Sequence, residues 1–264
     1  MKKYLVVGNP IKHSLSPKLH NYWIKVNNIN AIYEKKELNE YEIKDLILQI
    51  KEKKICGVNV TVPFKNKVIS YLDKLTLESQ STQSVNTIYL NDNEIVGHNT
   101  DIYGFEMSIE KIKHNLKGKK ILILGSGGVV PSIIFALKKM RVSQISLSNR
   151  TKEKAEKLKD LFENLNVINW GEVPYFDMVI NATSLGLNED DRIEIDFSSV
   201  GKDKFFYDVI YTSKETHFLK IGREMGNKTE NGKNMFIYQA YSAFNIWHGI
   251  QPNIDENVTK LLNQ

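Results

Sequence analysis

The residue types best suited to chemistry fall into three groups. Gly125, Ser126, Gly127 and Gly128 make a glycine-rich turn, with Asn149, Arg150, Thr151 and Lys152 downstream. Glycines here allow a pyrophosphate to reach the exposed N–H groups of a helix N-terminus, which a Cβ on the turn would hold away. Val130 stands where a third glycine is usual, so the pattern is G-x-G-G. A chain that takes NAD normally carries a carboxylate about 20 residues past the glycines, to hold the ribose 2′-hydroxyl. Here no carboxylate precedes Glu153. A guanidinium can grip a 2′-phosphate through two hydrogen bonds, whereas a carboxylate repels it. Asn149, Arg150 and Thr151 therefore read as an NADP-selecting corner, to which Lys152 adds charge. The bland alternative is a helix cap by Thr151 followed by solvated lysines, and it is the preferred reading of Lys152 and Lys154.

The second group is Ser14-Leu15-Ser16-Pro17. Ser16 followed by Pro17 reads as a helix entry, with the serine at the N-cap and the proline in the first turn. Free N–H groups and two hydroxyls could hold an anion there. The residues alone leave that reading and a plain cap with a loop serine both open. The third group is Gly57-Val58-Asn59-Val60-Thr61-Val62-Pro63-Phe64-Lys65. Alternation sends Asn59 and Thr61 to one face and the three valines to the other. Pro63 predicts the end of the strand and the start of a helix, FKNKVISYLDKL, with Lys65 in its first turn. A cation is misplaced at a helix N-terminus, which points to a functional reason such as proton exchange. The competing reading is a surface lysine without a role. Asp101 alone reads as a helix-start carboxylate.

These residues need elements to carry them. KKILIL, the glycine turn, a helix with Val130, Ile133, Ile134 and Leu137 on one stripe, and QISLS make a βαβ unit of dinucleotide-binding size. TKEKAEKLKDLFENL predicts an amphipathic helix with Ala155, Leu158, Leu161 and Phe162 on one side. Strands near 166–170, 178–181 and 205–209 extend a parallel sheet, and Thr183 follows one of them at the end where such sheets bind ligands. In the first part of the chain, strands at 4–8 and 31–38 alternate with helices at 17–28 and 40–53. VNTIYL and EIVGHNT then form a hairpin around Asn91-Asp92-Asn93.

The chain has 264 residues, 41% hydrophobic and 25% charged, with a net charge of +5. These values fit an ordinary globular α/β protein of one large or two small domains. The basic balance suits an anionic cofactor and substrate, and the scattered lysines do not suggest nucleic acid. No membrane-spanning run, signal peptide or metal-ligand spacing is found, and the single Cys56 fits a reducing cytoplasm. The expectation is a cytoplasmic, metal-free protein acting on a small molecule, as a monomer or homodimer.

Taken together, PIKHSLSPKLHN (10–21), GVNVTVPFK (57–65), SVNT (84–87), HNTDIYG (98–104), GSGG (125–128), NRT (149–151), NATSLG (181–186), YDVIY (207–211) and QAYSAF (239–244) resemble the shikimate dehydrogenase family over nearly the whole chain. The resemblance implies an N-terminal α/β substrate domain at 1–100, a Rossmann-like NADP domain at 101–235, and C-terminal helices at about 236–264 that pack on the first. It implies reversible reduction of 3-dehydroshikimate by NADPH. By resemblance, Ser14 and Ser16 bind the substrate carboxylate. Asn59, Thr61, Asn86 and Gln239 bind its carboxylate or ring hydroxyls, and Tyr211 lines the substrate pocket. Lys65 and Asp101 form the catalytic pair. Gly125 to Val129 cradle the pyrophosphate, Thr183 belongs to the cofactor site, and the backbone at Val209 and Gly232 approaches the nicotinamide. The pattern departs at Ser84, where alanine is usual, at Ser213, where proline is frequent, and at Asn234, where the family has a glycine. A quinate/shikimate dehydrogenase using NAD and a non-catalytic NADP-binding protein are the alternative readings.

Overall fold

A computed structural model describes residues 1–212 and 214–263, so the expectation at Ser213 falls outside it. The chain divides into two compact units, 1–104 with 237–264, and 105–236.

The first unit begins with β1 (Lys2–Gly8), α1 (Ser16–Val26), β2 (Ala31–Glu37) and α2 (Ile43–Lys51), then β3 (Gly57–Val60) and β4 (Lys74–Leu75). It continues with α3 (Leu77–Thr82), the hairpin β5 (Thr87–Asn91) and β6 (Glu94–His98), and the start of α4 (Asp101–Lys111). The sheet order is β2-β1-β3-β5-β6-β4, with β1 parallel to β2 and β3 while β5 runs antiparallel to β3 and β6. The period of two along strands splits the core by face. Leu5, Val7, Val58 and Val60 pack with Ile43, Leu46, Ile47 and Ile50 of α2. On the other side Tyr4, His20, Trp23 and Tyr33 meet Phe244 and Trp247. Gly57 is required there: a Cβ would sit 2.3 Å from the Trp247 indole nitrogen, which donates to the Ile88 carbonyl.

The second unit holds β7 (Lys120–Leu124), α5 (Val130–Lys139), β8 (Gln144–Ser148), α6 (Lys152–Glu156), β9 (Leu165–Ile168), β10 (Met178–Asn181), β11 (Phe205–Asp208), α7 (His217–Glu224) and β12 (Lys228–Glu230). α8 (Lys233–His248) starts in this unit and ends in the first, where α9 (Glu256–Leu262) follows. The sheet is wholly parallel with order β12-β11-β10-β7-β8-β9. Numbered from β7, this is the 3-2-1-4-5-6 order of a dinucleotide-binding fold, with its switch point between β7 and β10. The two-unit α/β architecture is therefore the one the sequence predicts.

Three local expectations are corrected. No α-helix follows Pro63: residues 62–66 form turns and Lys67–Tyr71 a 3-10 helix. Only Phe64 and Val68 of that stretch reach the core fully, too little apolar stripe to seat a long helix. Val62 lies beyond the strand and is 56% exposed, so the alternation stops at Val60. The helix expected after Thr151 ends at Glu156 and tightens into a 3-10 turn at Lys157–Asp160, leaving Leu161 exposed. A three-residue step brings Leu158 under Ala155, which suits the tighter turn.

Candidate active site

Lys65 is set by its backbone. Its carbonyl accepts the Val85 N–H at 2.8 Å, while the Asn86 N–H donates to the His98 carbonyl and the Asn86 carbonyl accepts the Val60 N–H. These bonds bring the turn after β3, the start of β5 and the end of β6 side by side. Asp101, at the head of α4, donates its N–H to Asn99 Oδ1. Lys65 Nζ lies 2.5 Å from Asp101 Oδ2, with side chains only 12% and 9% exposed. The lysine is thus held by a carboxylate in a turn, not misplaced in a helix dipole. An ammonium and a carboxylate so shielded can exchange a proton with, or hold, an oxygen placed beside them.

The other Asp101 oxygen is equally committed. Asn86 Nδ2 donates to Asp101 Oδ1 and to Thr100 Oγ1, both at 2.9 Å. Asn86 Oδ1 accepts from the Thr100 N–H at 2.7 Å, from Thr100 Oγ1 and from Thr87 Oγ1. Asn59 Nδ2 donates to the Asn86 carbonyl and Thr87 Oγ1, and Asn59 Oδ1 accepts the Tyr33 hydroxyl proton at 2.7 Å. Asn59 and Asn86 are 6% and 3% exposed. Their amides are therefore largely spent within the unit, which the sequence reading did not foresee.

The hydroxyls are less committed. α1 begins one residue earlier than expected: Leu15 is the N-cap, Ser16 is in the first turn, and Ser14 Oγ accepts the Ser16 N–H at 3.3 Å. The Ser16 and Thr61 hydroxyls find no partner among the described residues. Thr61 packs its methyl into space left by Gly8, where a Cβ would lie 2.4 Å away. Gln239 is half-buried on α8.

In the second unit the glycine turn follows β7 at the switch point. Gly125 has φ of +106°, and a Cβ there would meet the Ala182 carbonyl oxygen at 2.7 Å. At Gly127 a Cβ would meet nothing nearer than 3.8 Å, so protein packing does not require that glycine. Space left open above the first turn of α5 is what a dinucleotide pyrophosphate needs, and the residues fit one. Gly232 is needed because a Cβ would lie 2.0 Å from the Val209 carbonyl oxygen. Ser126 and Val129 flank the glycines, half-buried.

Beyond β8, Arg150 is exposed and joins no ion pair among the described residues. Asn149 Nδ2 donates to the Thr151 carbonyl, while the Thr151 side chain does not cap α6. Lys152 donates to Asn169 Oδ1 at 2.8 Å. Thr183 Oγ1 donates to Asn181 Oδ1 and accepts the Leu185 N–H, so its hydroxyl shapes the loop. Asn181 in turn donates to Asp208 Oδ1, which also takes the Ile210 N–H, while Oδ2 takes the Thr216 hydroxyl. Burial pushes the Asp208 carboxyl up to about 6, against those three hydrogen bonds. Tyr211 stacks on Phe236 at 4.3 Å, and the Asn234 amide is bound to Glu230 Oε1.

Residues the sequence reading passed over are Tyr33, Thr87 and Thr100 in the first unit and Asp208, Asn181 and Thr216 in the second. Asn181 and Asp208 carried a signal, each being a polar residue that closes an apolar strand. Tyr33 carried none, since a tyrosine in an alternating strand reads as core.

No helix among the described residues is long and apolar enough to cross a membrane, and none of their His, Cys, Asp and Glu side chains form a group that could hold a metal. Two family models match in order. The shikimate dehydrogenase substrate binding domain covers residues 6–88, and the shikimate / quinate 5-dehydrogenase model covers 107–191. The shikimate dehydrogenase (NADP(+)) of Pelagibacter ubique is 58% identical over 262 residues, 99% of each chain. The crystal structure of shikimate dehydrogenase from Aquifex aeolicus superposes with a TM-score of 0.91 at 37% identity, covering 99% of this chain and 97% of that one. The Thermus thermophilus enzyme in complex with NADP(H) and shikimate gives 0.90 at 26% identity, covering 99% and 98%. With both domains matched in order and that degree of identity along its whole length, the chain belongs to the shikimate dehydrogenase family of NADP-dependent oxidoreductases.

Proposed function

We propose that this chain catalyses the reversible NADPH-dependent reduction of 3-dehydroshikimate to shikimate, a step of aromatic amino acid biosynthesis. The observation that carries this reading is the shielded Lys65–Asp101 pair, with Asn86 on the second carboxylate oxygen. Bound NADPH would supply a hydride to the ketone carbon, leaving charge to be met on the ketone oxygen. Lys65, as an ammonium, stabilises that oxygen and gives it a proton. Asp101, ionised, fixes the direction of the ammonium and accepts a hydrogen bond from the neighbouring ring hydroxyl. In the reverse direction Lys65 takes the proton from the carbinol. Ser14 and Ser16 hold the substrate carboxylate, using hydroxyls and the start of α1. Thr61 and Gln239 serve the ring hydroxyls and Tyr211 adds its phenol to the substrate contacts.

Gly125 to Val129 would hold the pyrophosphate and Arg150, with Asn149 and Thr151, the adenosine 2′-phosphate. Thr183, Val209 and Gly232 shape the nicotinamide end. The protein acts in this reading in the cytoplasm, as a monomer or homodimer, on a small molecule. A steady-state assay of shikimate and quinate, each with NADP and with NAD, tests it. Shikimate with NADP should give the highest kcat/KM; an absence of shikimate turnover with either cofactor would overturn the proposal.

A further inference from the structure

We infer that Tyr33 is a positioning residue for the proton-transfer pair, acting through Asn59, Thr87 and Asn86. The inference rests on the roles proposed above for Lys65 and Asp101. Tyr33 is 2% exposed on β2 and held from α1 in two ways. The His20 ring stacks on it at 4.2 Å with planes 5° apart. Asn21 accepts the Tyr33 N–H at 3.0 Å and donates to its carbonyl at 2.8 Å. Its ring and backbone therefore have little freedom, and its hydroxyl proton goes to Asn59 Oδ1.

The orientation of both amides along the later hydrogen bonds is fixed. Asn59 Nδ2 faces the Asn86 carbonyl, which can only accept, so the amide cannot be reversed. The same NH2 group donates to Thr87 Oγ1, whose own proton goes to Asn86 Oδ1 at 3.0 Å, nearer than Thr100 Oγ1 at 3.3 Å. Asn86 Oδ1 also takes the Thr100 N–H, which can only donate, so Asn86 Nδ2 must face Asp101 Oδ1. That bond leaves Asp101 Oδ2 to Lys65. The chain of bonds runs from the helix that opens at Ser16 to the lysine ammonium, and its middle members Tyr33, Asn59, Thr87, Asn86 and Asp101 are all buried. Removing one donor leaves a buried acceptor unpaired and lets its neighbours turn.

Tyr33→Phe deletes the first donor and keeps the ring. We expect kcat to fall roughly ten- to a hundredfold with the shikimate KM changed less than about threefold, the pattern of displaced catalytic groups. Introduced into Asp101→Asn, where the carboxylate to be oriented is gone, Tyr33→Phe should change kcat less than about twofold. Losses that multiply in the double variant would overturn the inference, as would an unchanged kcat in the single one. Thr87→Val and Thr87→Ser provide a second test should Tyr33→Phe fold poorly. The valine should reproduce the loss and the serine, which keeps the hydroxyl, should restore most of it; equal behaviour of the two would refute the relay. The side-chain amide resonance of Asn86 gives a readout independent of turnover. It should shift in Tyr33→Phe, and an unmoved resonance would refute the relay even if the wild type proved inactive on shikimate, a result that would separately remove the proposed function.

Discussion

Acid should weaken the first unit through one buried histidine. His20 is 1% exposed, and neither of its ring nitrogens has a hydrogen-bond partner. It lies among Trp23, Tyr33, Phe244 and Trp247, and burial, helped by the nearby His248, pushes its pKa down to about 3 from the ordinary 6.5. The unfolded chain therefore binds a proton below pH 6.5 that the folded unit refuses. Stability is fully present above 6.5 and falls as the pH drops from there toward 3. Each unit of pH in that window costs about 1.4 kcal/mol, so at pH 4.5 the loss from His20 is about 2.7 kcal/mol. Phenylalanine keeps a ring in the aromatic cluster and cannot titrate. Urea unfolding of wild type and His20→Phe at pH 7.5 and pH 4.5, followed by tryptophan emission, measures the difference. Trp23 and Trp247 lie in the first unit, and Trp170→Phe in both backgrounds removes the signal of the second. Wild type should lose about 2.7 kcal/mol more than the variant between the two pH values. Equal losses would refute the assignment of the acid response to His20.

Four further outcomes follow from the same structure. Lys65→Ala should lower kcat by about two to four orders of magnitude while NADP binding, measured by calorimetry, changes little; retained turnover would remove Lys65 from the chemistry. Arg150→Ala should raise the KM for NADPH about tenfold and leave that for NADH nearly unchanged, as expected for one exposed charge-assisted contact. Gly57→Ala forces a Cβ into the Trp247 indole and should cost about 1–3 kcal/mol in urea unfolding, with a shift in tryptophan emission. Asp208 has the opposite sign to His20: its folded pKa of about 6 lies above the ordinary 3.8, so its protonation stabilises the second unit below about pH 4 and that gain is lost as the pH rises through 6. Asp208→Asn should therefore flatten the pH dependence of Trp170-reported unfolding between pH 4 and 6.

The Asn59 and Asn86 amides show how burial changes what a polar residue is for. Both stand in motifs that imply substrate contact, yet most of their hydrogen-bonding capacity is spent on Tyr33, Thr87, Thr100 and Asp101. The Ser16 and Thr61 hydroxyls, by contrast, have no hydrogen-bond partner among the described residues. The two amides are thus paired within the unit, because an unpaired buried amide is costly.

The sequence alone determined the features that depend on near neighbours. A short apolar run, three glycines, a helical stripe and a second strand identify the βαβ unit, since strand and helix periodicity and glycine's conformational freedom act within a few residues. Arg150 in place of a carboxylate was legible for the same reason, its position being measured from the glycines along the chain. Tertiary structure decided what pairing brings together. Lys65 and Asp101 are 36 residues apart, and Tyr33 and Asn59 26 apart, joined only when β2, β3, β5 and β6 take their places around them. It also replaced the helix expected after Pro63 with a turn, because Lys65 owes its place to a backbone bond with Val85 that no local propensity encodes. Contacts between distant residues are set by sheet order and burial, so their chemistry becomes visible only in the folded chain.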